Sequence, residues 1–578
     1  MTEKEFWLEQ SKSIYWFQEP KIAYNKKKNN YIDWFPDGKL NIFYNCITKN
    51  IELGLEKKVA IYFVNKQKKI QAYTYKDLDK KINIFSNILL NKLKTKKLTK
   101  SKVVIHASAS IESAISMLSC AKLGIHFSVI FEDLAPEAIF KRILLLKPDL
   151  FITRFDKTKF LKKISTKIKL KGIKLIFFDS VEYLKKKIDI KEISCEMVGS
   201  NKELFTLFTS GSTGMPKGIV HSSGGYLVAT KYTSAKQFGM SRQSVVLTAS
   251  DAGWLNGHTY ALFGPLSLGA TTILLESPML LVDKIFLKKI LKLKVTILYL
   301  PVTIIRMMKA VFGKKKIQTK YLETLGSMGE HLAPSVAEWF SNCFTSKNNA
   351  IVNCYYQTEN GAVIFSPTYK DKIKKVPHGS AGRASTKFLK INKLDVKYKK
   401  EIKLLTPWPG NMIKIINGNN EWKKYWDPKG NFKMFDLGTM KNGNLFVHGR
   451  ADDVINIRGH RIGSEEVEST VLKIKEIFEC CAISLPDEME GHVMYLFVVS
   501  KKKILDNKIF SQIHANFGSY ALPKKIYHVK ELPKTRSGKI LRRLLRLVLI
   551  DSIKAQNSDL TVMLNKKVIK DLIENVKN

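Results

Sequence analysis

A chain of 578 residues with 45% hydrophobic side chains has room for several domains and is too apolar to be disordered as a whole. Its formal net charge of +46 comes from 97 basic against 51 acidic residues, and 85 of the basic ones are lysines spread along the whole length. Scattered lysine, without clustered arginines and stacking aromatics, excludes a dedicated nucleic-acid surface as the first reading and leaves non-specific polyanion affinity as a side effect of composition. The seven cysteines (46, 120, 195, 343, 354, 480, 481) show no CxxC and no metal-ligand spacing, which predicts a reducing compartment. No apolar signal core opens the chain, and no apolar run reaches the roughly 18 residues of a spanning helix. The expectation is a cytoplasmic protein without a membrane partner.

Residues 1–50 are rich in aromatics and turn-formers (Phe6, Trp7, Trp16, Trp34, Pro36, Gly38) and read as an irregular N-terminal wrap on a larger body. From about residue 59, strand-like and helix-like segments alternate. Val103 to Ile105 reads as a strand, Ser110 to Leu123 as a helix and His126 to Phe131 as a strand. Ala135 to Leu146 reads as a helix, Leu150 to Thr153 as a strand, and the alternation recurs at Lys174 to Phe178 and Val295 to Leu300. A helix begins near Pro301, whose missing N–H costs little in a first turn. Such alternation predicts an α/β fold of βαβ units with largely parallel sheets. The lysine runs at 94–100 and 162–175 read as solvated faces or loops. After about 385 the segments Glu401 to Leu405, Met412 to Ile416 and Asn444 to His448 are short and turn-separated, predicting a small β-rich subdomain. Polar Gly449 to Asp453 marks a boundary, so the large domain is expected over 51–451 and a smaller α+β domain over 452–578.

The stretch with the clearest chemistry follows the apolar run Leu204 to Phe208. Thr209-Ser210-Gly211-Ser212-Thr213-Gly214-Met215-Pro216-Lys217-Gly218 packs glycines, hydroxyls and one lysine into ten residues. Small residues let backbone N–H groups approach an anion, hydroxyls add donors and lysine adds charge, so a polyphosphate is the natural guest. The spacing is not that of a Walker loop, and taken alone the stretch is equally a flexible surface loop. Arginine usage adds a second pointer. Only 12 arginines occur, and seven lie between Arg450 and Arg546. In a chain that takes lysine wherever a point charge suffices, a retained arginine marks a need for planar anion or carboxylate contacts.

Seven further motifs follow the loop in order. They are Ser250-Asp251-Ala252-Gly253-Trp254-Leu255-Asn256-Gly257-His258, Ser327-Met328-Gly329-Glu330, Tyr355-Tyr356-Gln357-Thr358-Glu359-Asn360-Gly361, Phe435-Asp436-Leu437-Gly438, Gly449-Arg450-Ala451-Asp452-Asp453-Val454-Ile455-Asn456, Gly459-His460-Arg461 and Leu532-Pro533-Lys534-Thr535-Arg536-Ser537-Gly538-Lys539. With the wrap motif Trp34 to Asn41, this series resembles the acyl-adenylate-forming superfamily, in its acetyl-CoA/propionyl-CoA synthetase branch, over nearly the whole chain.

The resemblance implies a large adenylation domain and a mobile C-terminal domain hinged at Asp452. It implies two half-reactions, in which ATP and a short-chain carboxylate form an acyl-adenylate and pyrophosphate, and coenzyme A then takes the acyl group. Thr209, Ser210, Gly211, Ser212, Thr213, Gly214 and Lys217 would hold the β- and γ-phosphates. Glu359, with Thr358 before it, would bind Mg²⁺, a hard cation suited to carboxylate and phosphate oxygens. Asp436 would accept from the ribose hydroxyls, and Arg450 and Arg461 would contact ribose or phosphate. Gly329, Glu330, His331, Asn353, Cys354, Tyr355 and Gln357 complete the nucleotide site. Lys539, otherwise one more solvated lysine, becomes the catalytic residue of adenylation.

Departures from the branch pattern bear on the other substrates. The acyl pocket reads Trp254, Leu255, Asn256, Met328 and Tyr356, with tyrosine where acetate enzymes carry a tryptophan wall. Tyrosine gives room that Leu255 and Met328 take back, so an acid of two to four carbons is expected; Tyr355 before Tyr356 and the Phe6-Trp7-Leu8-Glu9-Gln10 start resemble propionate enzymes and put propionate first and acetate second. On the coenzyme A side, Lys159, Lys162 and His514 stand where arginines are usual, and Arg458 adjoins Gly459. A Phe-Gly-Gly-Phe turn is replaced by Phe131-Glu132-Asp133-Leu134, whose acids oppose a polyanion. The alternative reading is a degenerate ligase scaffold that binds polyanions or nucleic acid.

Overall fold

Two helices of the large domain begin where a side chain satisfies their first N–H groups. Thr74 Oγ1 accepts from Asp77 N at 3.1 Å while Asp77 Oδ2 accepts from Thr74 N at 3.0 Å, starting Tyr75–Leu93. Ser110 and Ser113 make the same reciprocal box at the head of Ile111–Lys122. A computed structural model describes the chain apart from residues 96, 133, 135, 155–171, 187, 210–215, 345–349, 397, 417, 452, 453, 458, 459, 488–490, 501–503, 536, 537, 557–562, 564, 566 and 578.

The helices cover two seven-stranded sheets. In the first, Glu203–Thr209, His126–Ile130, Lys102–His106, Leu150–Thr153 and Lys174–Phe177 run parallel in that spatial order. In the second, the parallel order is Val352–Asn353, Thr324–Met328, Ile297–Pro301, Val245–Thr248, Thr271–Leu275 and Val59–Val64. His126–Ile130, Leu150–Thr153, Thr271–Leu275 and Thr324–Met328 are buried at every position, as strands covered on both faces must be. Each sheet carries antiparallel strands at one edge. Ile70–Thr74 pairs with Val59–Val64 in the second, and Lys217–Ser222 followed by Lys414–Ile416 extends the first.

That last strand corrects an expectation. Met412 to Ile416 was assigned to the small β-rich subdomain, but Lys414–Ile416 pairs antiparallel with Gly218 to Val220 and belongs to the first sheet. Pairing there buries Ile415 and occupies an edge that would otherwise expose unpaired N–H and C=O groups. The subdomain itself is the antiparallel sheet Lys400–Leu404, Phe432–Lys441 and Asn444–Arg450. The C-terminal domain is built on Ile477–Asp487, Gly491–Ser500 and Lys525–His528, with helices Ser464–Val471, Asp506–Phe517 and Arg542–Ile550. One apolar cluster runs from this domain into the large one, joining Val467, Cys480 and Leu496 to Leu298, Leu300 and Ile304.

The N-terminal segment is more regular than an irregular wrap. Thr2 and Glu5 form a capping box that starts the helix Glu3–Ser11. Trp7, 1% exposed, meets Trp34, Trp408 and Tyr232 edge-on at ring centroid distances of 5.9, 5.4 and 5.6 Å. Asn41 Nδ2 donates to the carbonyls of Ala121 at 2.9 Å and Glu196 at 2.8 Å, tying the segment to the end of a core helix. Among the described residues no helix is long and apolar enough to cross a membrane, and all seven cysteines are free thiols. Trp7→Ala is expected to destabilise the large domain by about 3–5 kcal/mol, the range for truncating a buried aromatic, read as a lower urea midpoint of the fluorescence transition.

Candidate active site

The phosphate-loop candidate is the connection of an antiparallel hairpin. Thr209 and Lys217 are cross-strand partners at the ends of Glu203–Thr209 and Lys217–Ser222. Ser210, Gly211, Ser212, Thr213 and Gly214 lie outside the described residues. Lys217 Nζ reaches Glu421 Oε2 at 2.6 Å and lies 5.7 Å from the centroid of the Tyr425 ring. The Lys217 ammonium, followed by that of Lys424, holds the Glu421 carboxyl below the usual carboxylate range.

Tyr425 connects this cation to the predicted metal ligand. Its ring is 5% exposed and stacked on Phe432, and its hydroxyl donates to Glu359 Oε1 at 2.6 Å. Glu359 sits in the single 3-10 turn Thr358–Asn360, whose Thr358 carbonyl accepts from His221 Nε2 at 2.7 Å. A single oxygen-donor carboxylate fixed on one side suits Mg²⁺, which takes one or two carboxylates and completes its shell with water and phosphate oxygens. Among the described residues no group of three or more His, Cys, Asp or Glu offers an all-protein cage.

Asp436, expected from sequence to meet ribose, is 6% exposed. Its Oδ2 accepts from the Tyr355 hydroxyl at 2.8 Å and from Gln357 Nε2 at 2.5 Å. Phe435 holds a left-handed backbone (φ 55°), and a bulge follows at Asp436. A bulky residue in that region is uncommon and persists where its surroundings fix it. Across the ladder Asp436 is the register partner of Arg450. Arg461 pairs with Asn456 in Val454–Ile457/His460–Gly463. The side chains of Arg450 and Arg461 lie outside the described residues.

The end of strand Thr324–Met328 supplies the opposite wall. Gly329 takes φ 88°, and a Cβ there would meet nothing within 4 Å, so its requirement is conformational. Glu330 pairs with Arg306, and Thr303 Oγ1 lies 3.4 Å from the same carboxylate. His331 follows, half-buried. Asn353 accepts from Ser327 Oγ at 2.9 Å and donates to Ser380 O at 2.9 Å, and Cys354 N donates to Ser327 O.

The acyl-pocket residues split into two groups that meet at one hydrogen bond. Tyr356 Oη donates to Asn256 Oδ1 and lies 3.4 Å from Tyr299 Oη. Tyr356 packs on the cluster containing Met328. Leu255 is buried, and the Trp254 ring lies 4.8 Å from Phe131.

Of the residues expected on the coenzyme A side, Lys159, Lys162, Arg458 and Gly459 lie outside the described residues, as does Asp452, the expected hinge. His514 lies in the last turn of the helix Asp506–Phe517, its carbonyl accepting from Gly518 N at 2.8 Å. Glu132 is 6% exposed and faces Arg154, whose guanidinium lies 3.6–3.9 Å from Glu112, Glu132 and Glu276. The catalytic candidate Lys539 is exposed, and Gly538 before it accepts from Thr303 Oγ1 at 2.8 Å.

Sequence reading did not single out Tyr425, Glu421, Thr303, Arg306 or His221. For Arg306 a signal existed, since the scarcity of arginine in a lysine-rich chain applies to it as much as to Arg450. Arg542, which forks onto both oxygens of Glu468, follows the same rule inside the C-terminal domain.

This is the geometry of a two-domain nucleotide-using α/β enzyme, with a carboxylate and a lysine on the phosphate side and a second lysine brought by a separate domain. Residues 54–421 match the AMP-binding enzyme model, 466–539 the AMP-binding enzyme C-terminal domain and 2–46 the acetyl-coenzyme A synthetase N-terminus. Acetyl-coenzyme A synthetase of Leptospira biflexa is 32% identical, covering 99% of this chain and 94% of its own. Those of Helicobacter pylori and Saccharomyces cerevisiae (the latter acetyl-coenzyme A synthetase 2) are 30% and 29% identical, over 98% and 96% of this chain and 92% and 89% of theirs. The chain belongs to the AMP-binding enzyme family, among the AMP-forming ligases of acetyl-coenzyme A synthetase type. Ligases of this type use ATP, Mg²⁺ and coenzyme A. Two solved structures share the fold. Acetoacetyl-CoA synthetase from Streptomyces lividans has a TM-score of 0.81 at 16% identity, covering 99% of this chain and 92% of its own. An anthranilate CoA ligase in complex with anthranoyl-AMP has a TM-score of 0.76 at 19% identity, covering 88% and 96%.

Two buried histidines lie behind the site. His221 and His258 flank the Phe205 ring at 5.1 and 4.6 Å, and burial holds their imidazoles down to about 4 and about 3. An unfolded imidazole takes a proton near pH 6.5, so these two remain neutral in the folded protein while the unfolded chain protonates. Stability therefore falls as pH drops from about 6.5 towards the folded values. His258→Phe, whose neighbours Phe127 and Phe205 are apolar, is expected to lose less stability than the parent between pH 7 and 5, by about 2 kcal/mol, measured by urea unfolding at both pH values.

Proposed function

We propose that the chain activates a short-chain carboxylic acid in two steps at this one site. The acid's carboxylate oxygen bonds to the α-phosphorus of ATP as the bond from that phosphorus to the bridging oxygen breaks, and pyrophosphate leaves. The thiol of coenzyme A then attacks the acyl carbon, AMP leaves and the thiol gives up its proton. The observation that carries the reading is the meeting of Tyr355, Gln357 and Asp436 on one side, Glu359 and Lys217 on another, with the Gly538 turn docked beside Glu330.

In this reading Thr209 to Gly214 and Lys217 orient the β- and γ-phosphates. Asp436, with Arg450 and Arg461, holds ribose and phosphate. Gly329, Glu330, His331, Asn353, Cys354 and Tyr355 line the base. Glu359 would hold Mg²⁺, whose chemistry is to neutralise charge on the phosphates. Lys539 places its ammonium between carboxylate and α-phosphate, where charges of one sign converge in the transition state. Asp452 is the hinge about which the C-terminal domain exchanges Lys539 for the Gly459 face between the steps. The expected compartment is the cytoplasm.

Acetate is the first choice of acid and propionate the second, the reverse of the order drawn from sequence. The names of the relatives support acetate, and the Tyr356–Asn256 bond, which holds the tyrosine wall in place, supports a short pocket. The polyanion-binding reading is set aside, because Asp436, Glu359 and Lys217 stand in directed contacts within one site.

Pyrophosphate release across C2 to C6 acids tests the reading. Acetate is expected to lead, with each added methylene costing about ten- to two-hundredfold, and a maximum at C4 or beyond would refute the acid. Lys539→Ala is expected to lose at least about a hundredfold in pyrophosphate release while pre-made acyl-adenylate still reacts with coenzyme A. Equal loss in both steps would remove its role. Glu132 of the altered turn shares the Arg154 guanidinium with Glu112 and Glu276, so three carboxylates to one guanidinium leave this cluster without positive charge to spare for coenzyme A phosphates. KM for coenzyme A is therefore expected within about tenfold of KM for pantetheine, and a preference of a thousandfold would show the nucleotide end to be firmly gripped.

A further inference from the structure

Lys539 is exposed, so burial of its own side chain does not hold the catalytic turn. Within the turn, Gly538 N donates to Thr535 O, Thr535 N to Lys539 O and Lys539 N to Thr535 Oγ1. These bonds give the turn a shape but no position relative to the large domain. Beyond the apolar cluster that joins the two domains, a direct contact on the turn itself comes from Thr303, 3% exposed, in the first turn of Val302–Phe312. Its hydroxyl donates to Gly538 O at 2.8 Å. Gly538 holds φ 84°, and a Cβ on it would lie 2.4–2.6 Å from Thr303 Cβ, Cγ2 and Oγ1, so the two backbones approach as closely as side chains allow. Arg306 Nη2 approaches the Thr303 oxygen at 3.5 Å and pairs with Glu330, which bounds the nucleotide site. With the guanidinium on its lone-pair side, the hydroxyl is left to point its proton at the turn.

We propose that Thr303, oriented by Arg306 and Glu330, is the positioning residue that docks the Lys539 turn for the first half-reaction and is dispensable in the second. The inference rests on the two-step reading above. It adds that, among the described residues, the large domain meets the turn through the Thr303 hydroxyl, whose orienting ion pair borders the nucleotide site, so that nucleotide contact and docking share Arg306 and Glu330.

Thr303→Val keeps the shape and removes the hydroxyl, and Thr303→Ser returns it. Three measurements decide. The Val variant is expected to slow acid-dependent pyrophosphate release by about ten- to a hundredfold, the worth of one buried hydrogen bond. Turnover of pre-made acyl-adenylate with coenzyme A should stay within about twofold, and the Ser variant should recover most of the loss. Hydrogen–deuterium exchange of the segment 532–541 is expected to rise in Val and not in Ser. Equal loss in both half-reactions, or no rise in exchange, overturns the proposal. If the parent itself released no pyrophosphate, the two-step reading would fall, while the exchange measurement would still decide whether Thr303 docks the turn.

Discussion

The pairing of Lys217–Ser222 with Lys414–Ile416 is the contact on which the surroundings of Lys217 depend. A parallel sheet leaves an open edge, and here the chain closes it twice, once with the hairpin from Thr209 to Lys217 and once with a strand from far downstream. The second closure has a chemical product. It delivers the following segment, with Glu421 and Tyr425, to the lysine at the hairpin's end and to the carboxylate of Glu359. That strand thus adds a second tie between the loop lysine and the metal-binding candidate, beside the hydrogen bond of His221 to the Thr358 carbonyl. Edge protection and site construction are therefore one event.

How much of this could be read from sequence depended on whether the signal was local. Strands buried on both faces are continuous apolar runs, so Leu150 to Thr153 and Val103 to Ile105 could be placed to within a residue or so. Met412 to Ile416 was recognised as a strand and given to the wrong sheet, because its partner lies almost two hundred residues earlier and no local pattern names it. The helix Glu3–Ser11 was overlooked although Thr2 and Glu5 spell a capping box; abundant aromatics pulled the reading towards irregular structure. At the site, Asp436, Glu359 and Tyr355 were legible through ordered motifs. Tyr425 and Thr303 were not, since nothing in a lone tyrosine or threonine announces that its hydroxyl faces a carboxylate or a backbone carbonyl.

Charge behaves differently at the two scales. Over the whole chain, the excess of 46 positive charges provides a long-range field that favours the approach of anionic substrates and weakens with salt. Close to the chemistry the cations are matched to carboxylates: Lys217 and Lys424 to Glu421, Arg306 to Glu330, and Arg154 to three glutamates at once. The surface lysines are interchangeable in this respect and the paired ones are not, because a carboxylate left in place after its partner is removed becomes an uncompensated charge in a partly desolvated position.

The hydrogen bond between Tyr356 and Asn256 carries a consequence for descent. The phenol is part-buried, and its hydroxyl meets Asn256 from one segment of the chain and Tyr299 from another. Replacing the tyrosine alone takes from the Asn256 amide oxygen its donor, so substitutions along this wall are expected to be coupled. Under the proposed function, related ligases that differ at Tyr356 are thus expected to differ at Asn256 as well.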